Sequence, residues 1–199
     1  MKGKDPIENA IRIISRMPGF GEKSASRLVY WLLKDGKEIL PELSKVLKEL
    51  SEQVKICSSC GDFSVSDPCP ICSDPNRDKA LLMVVEDGKA IKAIEKTRVY
   101  KGLYHILGGL LSPRLGIGPE ALSIRQLLER IKKGAIKEVI IGLSSSQEGE
   151  ATTQWLIQSL EGLGVLISRL ARGMPVATSL EYLDVESLSL SIKDRKKSE

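Results

Sequence analysis

Leu81-Leu82-Met83-Val84-Val85-Glu86 is the stretch on which the fold turns: five apolar residues without a break, then a carboxylate. A strand with one wet face alternates apolar and polar residues, so an unbroken run belongs to a strand buried on both faces, as in a parallel sheet covered by helices. Downstream, Ala90, Ile91 and Ile94 share one face of a helix. Ser123 with Gln126 reads as a capping box opening a helix that turns Leu127, Leu128 and Ile131 inward and stops near Gly134. Val139-Ile140-Ile141-Gly142-Leu143 repeats the strand pattern, and a helix over residues 148–160 follows it. Gly162 and Gly164 end that helix before the strand-like Val165-Leu166-Ile167. Strand and helix in alternation predict a largely parallel sheet with helices on its faces.

Around this α/β core the chain changes character. Residues 1–54 are helical by period, with Ile39, Leu40, Leu43, Val46, Leu47, Leu50 and Val54 recurring every three or four positions. Residues 55–78 are rich in Cys, Ser, Asp and Pro and too poor in large apolar groups to hold a core unaided. Residues 79–172 are the α/β domain, and residues 173–199 form a short tail with a strand-like piece near Leu180 and a basic end. A multidomain α/β chain is therefore expected, with no long repeats. Of its 199 residues 42% are hydrophobic and 28% charged, values of a folding protein, and the net charge of +4 tilts toward a polyanionic partner. The amino end is charged and unlike a signal peptide, and an apolar run of five residues falls far short of the roughly 20 that span a bilayer. A cytoplasmic chain with reduced cysteines is the expectation.

Cys57-Ser58-Ser59-Cys60 and Cys69-Pro70-Ile71-Cys72 are two Cys-x-x-Cys knuckles. Four thiolates at this spacing close around a tetrahedral Zn²⁺, one per chain, with no open position for catalysis. A redox pair is the rival, but such a pair stands singly at a helix start in a thioredoxin-like setting that is missing here. Met17-Pro18-Gly19-Phe20-Gly21-Glu22-Lys23-Ser24-Ala25 lies between two helical stretches. Gly19 and Gly21 permit a tight turn whose N–H groups face a phosphate, with Lys23 and Arg27 on one face of the second helix and Arg12 and Arg16 on the first. The plainer reading is a helical hairpin with solvated charges. A nucleotide-binding P-loop is excluded, since the glycine before the lysine and the preceding strand are missing. Glu86 and the stretch Gln147-Glu148-Gly149-Glu150-Ala151 both fall at carboxyl ends of strands, where open α/β sheets place their sites. The alternative is that Glu148 and Glu150 merely complement a helix dipole. His105, the single histidine, is expected to be a satisfied core residue, and Trp31 and Trp155 to be packing groups.

The glycine-rich turn resembles the helix-hairpin-helix of DNA-repair proteins, and the α/β domain resembles the Toprim domain of type IA topoisomerases and DnaG-type primases. Catalytic Toprim domains hold Mg²⁺ with a Glu and an Asp-x-Asp pair, and at the pair's places this chain has Ser144 and Ser146. A hydroxyl brings no charge to a hard cation, so the catalytic set is incomplete. Taken in order, the three modules are similar to the RecR family of recombination mediators. Supporting stretches are Tyr104-His105-Ile106-Leu107, Leu111-Ser112-Pro113, Gly116-Ile117-Gly118-Pro119-Glu120 and Leu180-Glu181-Tyr182. Gly108, Leu143 with Ser144 and Ser145, Arg172, and Ala177 with Thr178 depart from the family pattern.

The resemblance implies a non-enzymatic protein that binds single- and double-stranded or gapped DNA. It implies action with RecO, and with RecF where present, to load RecA on SSB-coated strands. It also implies a homo-oligomeric ring, usually tetrameric, joined through terminal domains that include the carboxyl tail, and a use of Glu86, Glu148 and Glu150 in partner docking. The alternatives are a metal-dependent Toprim enzyme, disfavoured by the two serines, and a zinc-dependent regulator, disfavoured because no groove-reading helix is apparent.

Overall fold

The computed structural model describes residues 5–171 together with Val185 and Ser189. The tail expected over 173–199, and the departures at Arg172, Ala177 and Thr178, lie outside the described residues apart from those two. The chain divides into two compact units between Val54 and Lys55.

The amino-terminal unit holds α1 (Pro6–Ile14), α2 (Glu22–Lys34) and α3 (Ile39–Gln53). Asp5 starts α1 by accepting from the Ile7 N–H at 3.0 Å, with Pro6 at the first helical position, where its missing N–H costs nothing. Arg16 does not belong to that helix. Its N–H bonds to Ile13 O at 3.2 Å and that of Met17 to Ile14 O, so the chain has already tightened into a turn. Phe20 N to Met17 O, 3.1 Å, closes the turn, and Gly19 takes the left-handed conformation at φ +82°. Gly21 is different: at φ −88° it is extended and an added Cβ would meet nothing. Hence only the first of the two glycines is required by the bare turn. Ala25, Val29 and Leu32 of α2 are buried, and an apolar groove of about 240 Å³ lies between α1 and α2 and the start of α3, lined by Ile14, Leu33 and Leu43 among others. No residue of α3 is buried, and its apolar stripe stays open, with Val46, Leu47 and Leu50 half exposed.

The second unit begins with a two-stranded antiparallel ladder, β1 (Lys55–Ile56) with β2 (Phe63–Ser64), and the single-turn helix α4 (Pro70–Ser73). Then come β3 (Asp78–Val85), α5 (Gly88–Thr97), β4 (Gly102–Ile106), α6 (Ile124–Lys132), β5 (Glu138–Gly142), α7 (Gln147–Leu160) and β6 (Leu166–Arg169). The four later strands form one parallel sheet in the order β4-β3-β5-β6. β3 is interior, as its unbroken apolar run requires. Leu82 and Val84 face a core shared with Leu127, Ile131, Leu156 and Leu160 of α6 and α7, while Met83 and Val85 pack with Ile91 of α5 on the other side.

Local chemistry sets the helix ends. Asp87 caps α5 through the N–H groups of Lys89 (2.8 Å) and Ala90 (3.2 Å), and Gly134 (φ +83°) and Gly162 (φ +79°) turn the chain after α6 and α7. The capping box at Ser123 does not form. The Ser123 hydroxyl instead donates to Ile106 O, because β4 runs beside the start of α6 and its carbonyl outcompetes the helix N–H groups.

The zinc-type knuckles lie on the edge of this sheet. β4 is an edge strand, and the Ile106 N–H donates to Cys60 O at 2.8 Å. Arg130 of α6 reinforces the contact, its Nη1 donating to Ser59 O (2.9 Å) and Tyr104 O (2.7 Å). Behind the last cysteine, Arg77 pairs with Glu95 on α5 through Nη1 to Oε1 at 2.9 Å and through Nη2, and the Tyr104 hydroxyl donates to the same carboxylate at 2.6 Å. The Arg77 bonds, more than that from Tyr104, hold the Glu95 carboxyl below its ordinary value.

Candidate functional site

Cys57, Cys60 and Cys69 are buried and Cys72 half-buried, all four are free thiols, and their sulfurs lie within 4.8 Å of one another. The Cys60 and Cys69 sulfurs stand 3.7 Å apart. Sulfur atoms about 2.3 Å from a tetrahedral zinc are about 3.8 Å apart, so the cluster has the size of a Zn–S₄ centre. Backbone N–H groups support it, Cys69 N to the Cys57 sulfur at 3.3 Å and Cys72 N to the Cys69 sulfur at 3.5 Å. Asp67 Oδ1 pins the first knuckle by accepting from Ser58 N and Oγ, both at 2.8 Å. Bonding from Cys72 pulls the Cys60 thiol down, while the same bond and then burial push Cys72 up. Burial and the repulsion between close-packed sulfurs oppose forming four thiolates together, and a cation at their centre offsets both. The donor set is soft, closed and tied to the sheet edge, and it fits one structural zinc per chain. Among the described residues it is the single cluster of three or more metal-ligating side chains.

In the helix-hairpin-helix, Lys23 and Arg27 sit one turn apart on α2 and are exposed. Among the described residues no side chain caps α2 at Gly21, which leaves its leading N–H groups open to an outside acceptor. Arg12, on α1, is exposed and its Nη2 donates to Asn9 Oδ1 at 2.7 Å, and Arg16 is exposed in the turn.

At the carboxyl end of β3, Glu86 lines a cleft of about 360 Å³ with Asp62, Asp87 and Gly108, and the Gly108 N–H donates to the Glu86 backbone O at 3.1 Å. Ser144 and Ser146 have taken another role. Ser146 Oγ caps α7 through Gly149 N at 3.0 Å and lies 3.0 Å from Ser144 Oγ. A Cβ on Gly149 would collide with Ser144 O, so the glycine between the two glutamates is required for close approach of backbones. Glu150 is bound twice by Arg169 of β6, at 3.0 and 2.6 Å, and accepts from Gln154 at 3.1 Å. Glu148 is exposed.

Sequence reasoning missed Arg169, Arg130 and the Arg77–Glu95 pair, because each reaches a partner far along the chain and carries no local signature. His105 is buried as expected but only half satisfied. Its Nε2 donates to Ser123 O at 2.9 Å, while Nδ1 is buried without a partner, and burial brings the imidazole down to about 4. Trp31 is 44% exposed on α2, whereas Trp155 packs against the larger core. No helix among the described residues is long and apolar enough to cross a membrane.

Comparison with known proteins matches residues 7–50 to the family described as "RecR, helix-hairpin-helix" and residues 54–74 to the four-cysteine zinc finger domain of RecR. Residues 80–171 match the Toprim domain family. Recombination protein RecR of Tropheryma whipplei (strain Twist) is 42% identical over 189 residues, 95% of this chain and 96% of that protein. Recombination protein RecR of Pelotomaculum thermopropionicum is 42% identical over 191 residues, 96% of each chain. That of Bifidobacterium longum subsp. infantis is 40% identical over 190 residues, 96% of this chain and 95% of its own. With the three modules in this order and such identity along nearly the whole length, the chain belongs to the RecR family of recombination proteins.

Proposed function

We propose that the protein is a recombination mediator without catalysis of its own, working in the cytoplasm as a homo-oligomeric ring. It holds single- or double-stranded and gapped DNA without reading sequence, through Lys23 and Arg27, the N–H groups beside Gly19 and Gly21, and Arg12 and Arg16. Its acidic surface at Glu86, Glu148 and Glu150 docks RecO, and with RecO, and RecF where present, it promotes loading of RecA on SSB-coated strands at gaps. The uncovered apolar stripe of α3 supports assembly through the amino-terminal unit, since half-exposed Val46, Leu47 and Leu50 are a face that a second copy would cover.

One observation carries the choice of mediator over Toprim enzyme. The places of the Asp-x-Asp pair hold two serines, one capping a helix and bonded to the other, and Glu150 is held by an arginine. An Mg²⁺ that stabilises a reacting phosphate needs several anionic oxygens converging on it, and this arrangement supports binding better than phosphoryl chemistry.

The test is recruitment to gapped, SSB-coated DNA with and without RecO, with the oligomer mass determined on the same samples. Glu148→Ala, an exposed position, is expected to cut RecO-dependent recruitment several-fold and leave folding unchanged. Lys23→Ala with Arg27→Ala is expected to weaken DNA binding itself. Mg²⁺-dependent nicking or priming by the pure protein would replace this reading with an enzymatic one.

A further inference from the structure

In a parallel sheet whose helices run back along its faces, every strand start and every helix end meets on one rim. Here that rim carries Lys79 at the start of β3, Lys101 just before β4 and Lys137 just before β5. Backbone bonds from Asp78 N to Lys101 O (2.9 Å) and from Lys137 N to Ala80 O (2.8 Å) make the three strand starts immediate neighbours. Arg98, just past the end of α5, and Lys132 and Lys133, at the end of α6, arrive on the same rim because those helices run against the strands. All six are exposed, and none makes a salt bridge or a side-chain hydrogen bond among the described residues.

Nearby carboxylates offset them only in part. Glu95 is paired with Arg77, and Lys101 also acts on it. Asp78 and Glu138 accept from neutral donors, Ala80 N (2.8 Å) and the Ser168 hydroxyl (2.6 Å), and keep their charge. Glu161 stands in the turn that leads to β6, the neighbour of β5, so six cations stand against these three carboxylates and the rim stays basic. Lys132 and Lys133 complement the dipole of α6, but a strand start has no comparable dipole, so Lys79, Lys101 and Lys137 have no such reason to be basic. The opposite rim mixes Glu86, Asp87 and Glu148 with Lys89 and Arg125, the last paired with Glu129, so the excess of cations lies on the strand-start rim.

We infer that the amino-terminal rim of the sheet is a second binding surface for the phosphate backbone of DNA, made by residues distinct from those of the helix-hairpin-helix. Unpaired cations on adjacent strands about 4.8 Å apart offer neighbouring phosphates a row of charge without base contacts. The inference rests on the DNA-binding reading above. It also gives the two rims separate work, since a strand-start rim that holds DNA leaves Glu86 and Glu148 to a protein partner.

The test measures binding of the full-length, zinc-loaded protein to two duplexes of unrelated sequence over a range of salt. The triple variant Lys79→Gln, Lys101→Gln and Lys137→Gln is compared with Lys89→Gln, Lys92→Gln and Arg125→Gln, the same charge change elsewhere in the domain. Each lost phosphate contact lowers the slope of log affinity against log salt by about 0.9, so the rim variant is expected to lose about 2–3 of slope on both duplexes and the control little. Lys23→Ala with Arg27→Ala is run beside them, and its loss should add to that of the rim. Equal losses in rim and control variants reduce the effect to net charge and overturn this inference alone. Failure of the unaltered protein to bind either duplex overturns the DNA-binding reading as well. Binding of polyglutamate that matches DNA in tightness and depends on the same three lysines makes the rim a site for an acidic protein, which also overturns it.

Discussion

Gly19 and Gly21 look equivalent in sequence, yet only one is demanded by the chain's own conformation. Gly19 sits at φ +82°, where any side chain is strained, so Gly19→Ala is expected to cost about 1 kcal/mol of stability in urea unfolding. Gly21 is extended, has open space at its Cβ position and stands as the N-cap of α2. Gly21→Ser supplies a good cap and should hold stability or raise it by a few tenths of a kcal/mol. If a phosphate approaches the bare backbone at this point, the same serine lowers DNA affinity while thermal unfolding is unchanged. Unchanged affinity in a stable Gly21→Ser protein would leave the N–H groups of α2 out of the interface and give the hairpin's share of binding to its basic side chains. Gly149 makes the converse case, a glycine inside a helix that ties α7 to Ser144 and has no freedom to change.

Elements legible in the sequence are those whose reason is local. β3 announces itself by its unbroken run, α7 by the glycines that follow it, and the four cysteines by their spacing. What could not be read is what each element is set against. Ser123 carries the letters of a cap but commits its hydroxyl to Ile106 O, a bond that exists only once β4 has joined the sheet. The stripe on α3 has the period of a buried face and remains open among the described residues. Glu148 and Glu150 look alike in sequence, but Arg169 binds Glu150 from a strand reached only after α7 has folded back on the sheet. Arg130 belongs to the same class. It bridges α6, β4 and the first cysteine knuckle through two carbonyls, and Arg130→Met should cost about 2–3 kcal/mol, since bonds from a charged donor are lost and two part-buried acceptors are stranded. Urea unfolding checks the figure, and faster amide exchange at Ile106 should accompany it. A shift of a few tenths of a kcal/mol would mean that water replaces the guanidinium freely.

At the scale of the molecule the metal and the sheet are one structure. Each purified chain should carry one zinc, and Cys69→Ala should lose it. The Cys60 carbonyl that follows its sulfur in the chain also holds the edge strand, so the loss is expected to extend beyond residues 57–72 and to raise amide exchange along β4. Metal analysis with exchange measured on the same protein decides this. Reduced protein free of zinc, or zinc-free protein with β4 still protected, would separate the two. The connection also bears on the order in which the chain is made. Residues 57–72 leave the ribosome before residues 102–106, and β5, the partner for the other side of β3, follows only at 138–142. A knuckle that needs only its own four cysteines and a metal ion is thus complete before the exposed strand edge it will cover has been synthesised, so the new β4 meets its lid on arrival.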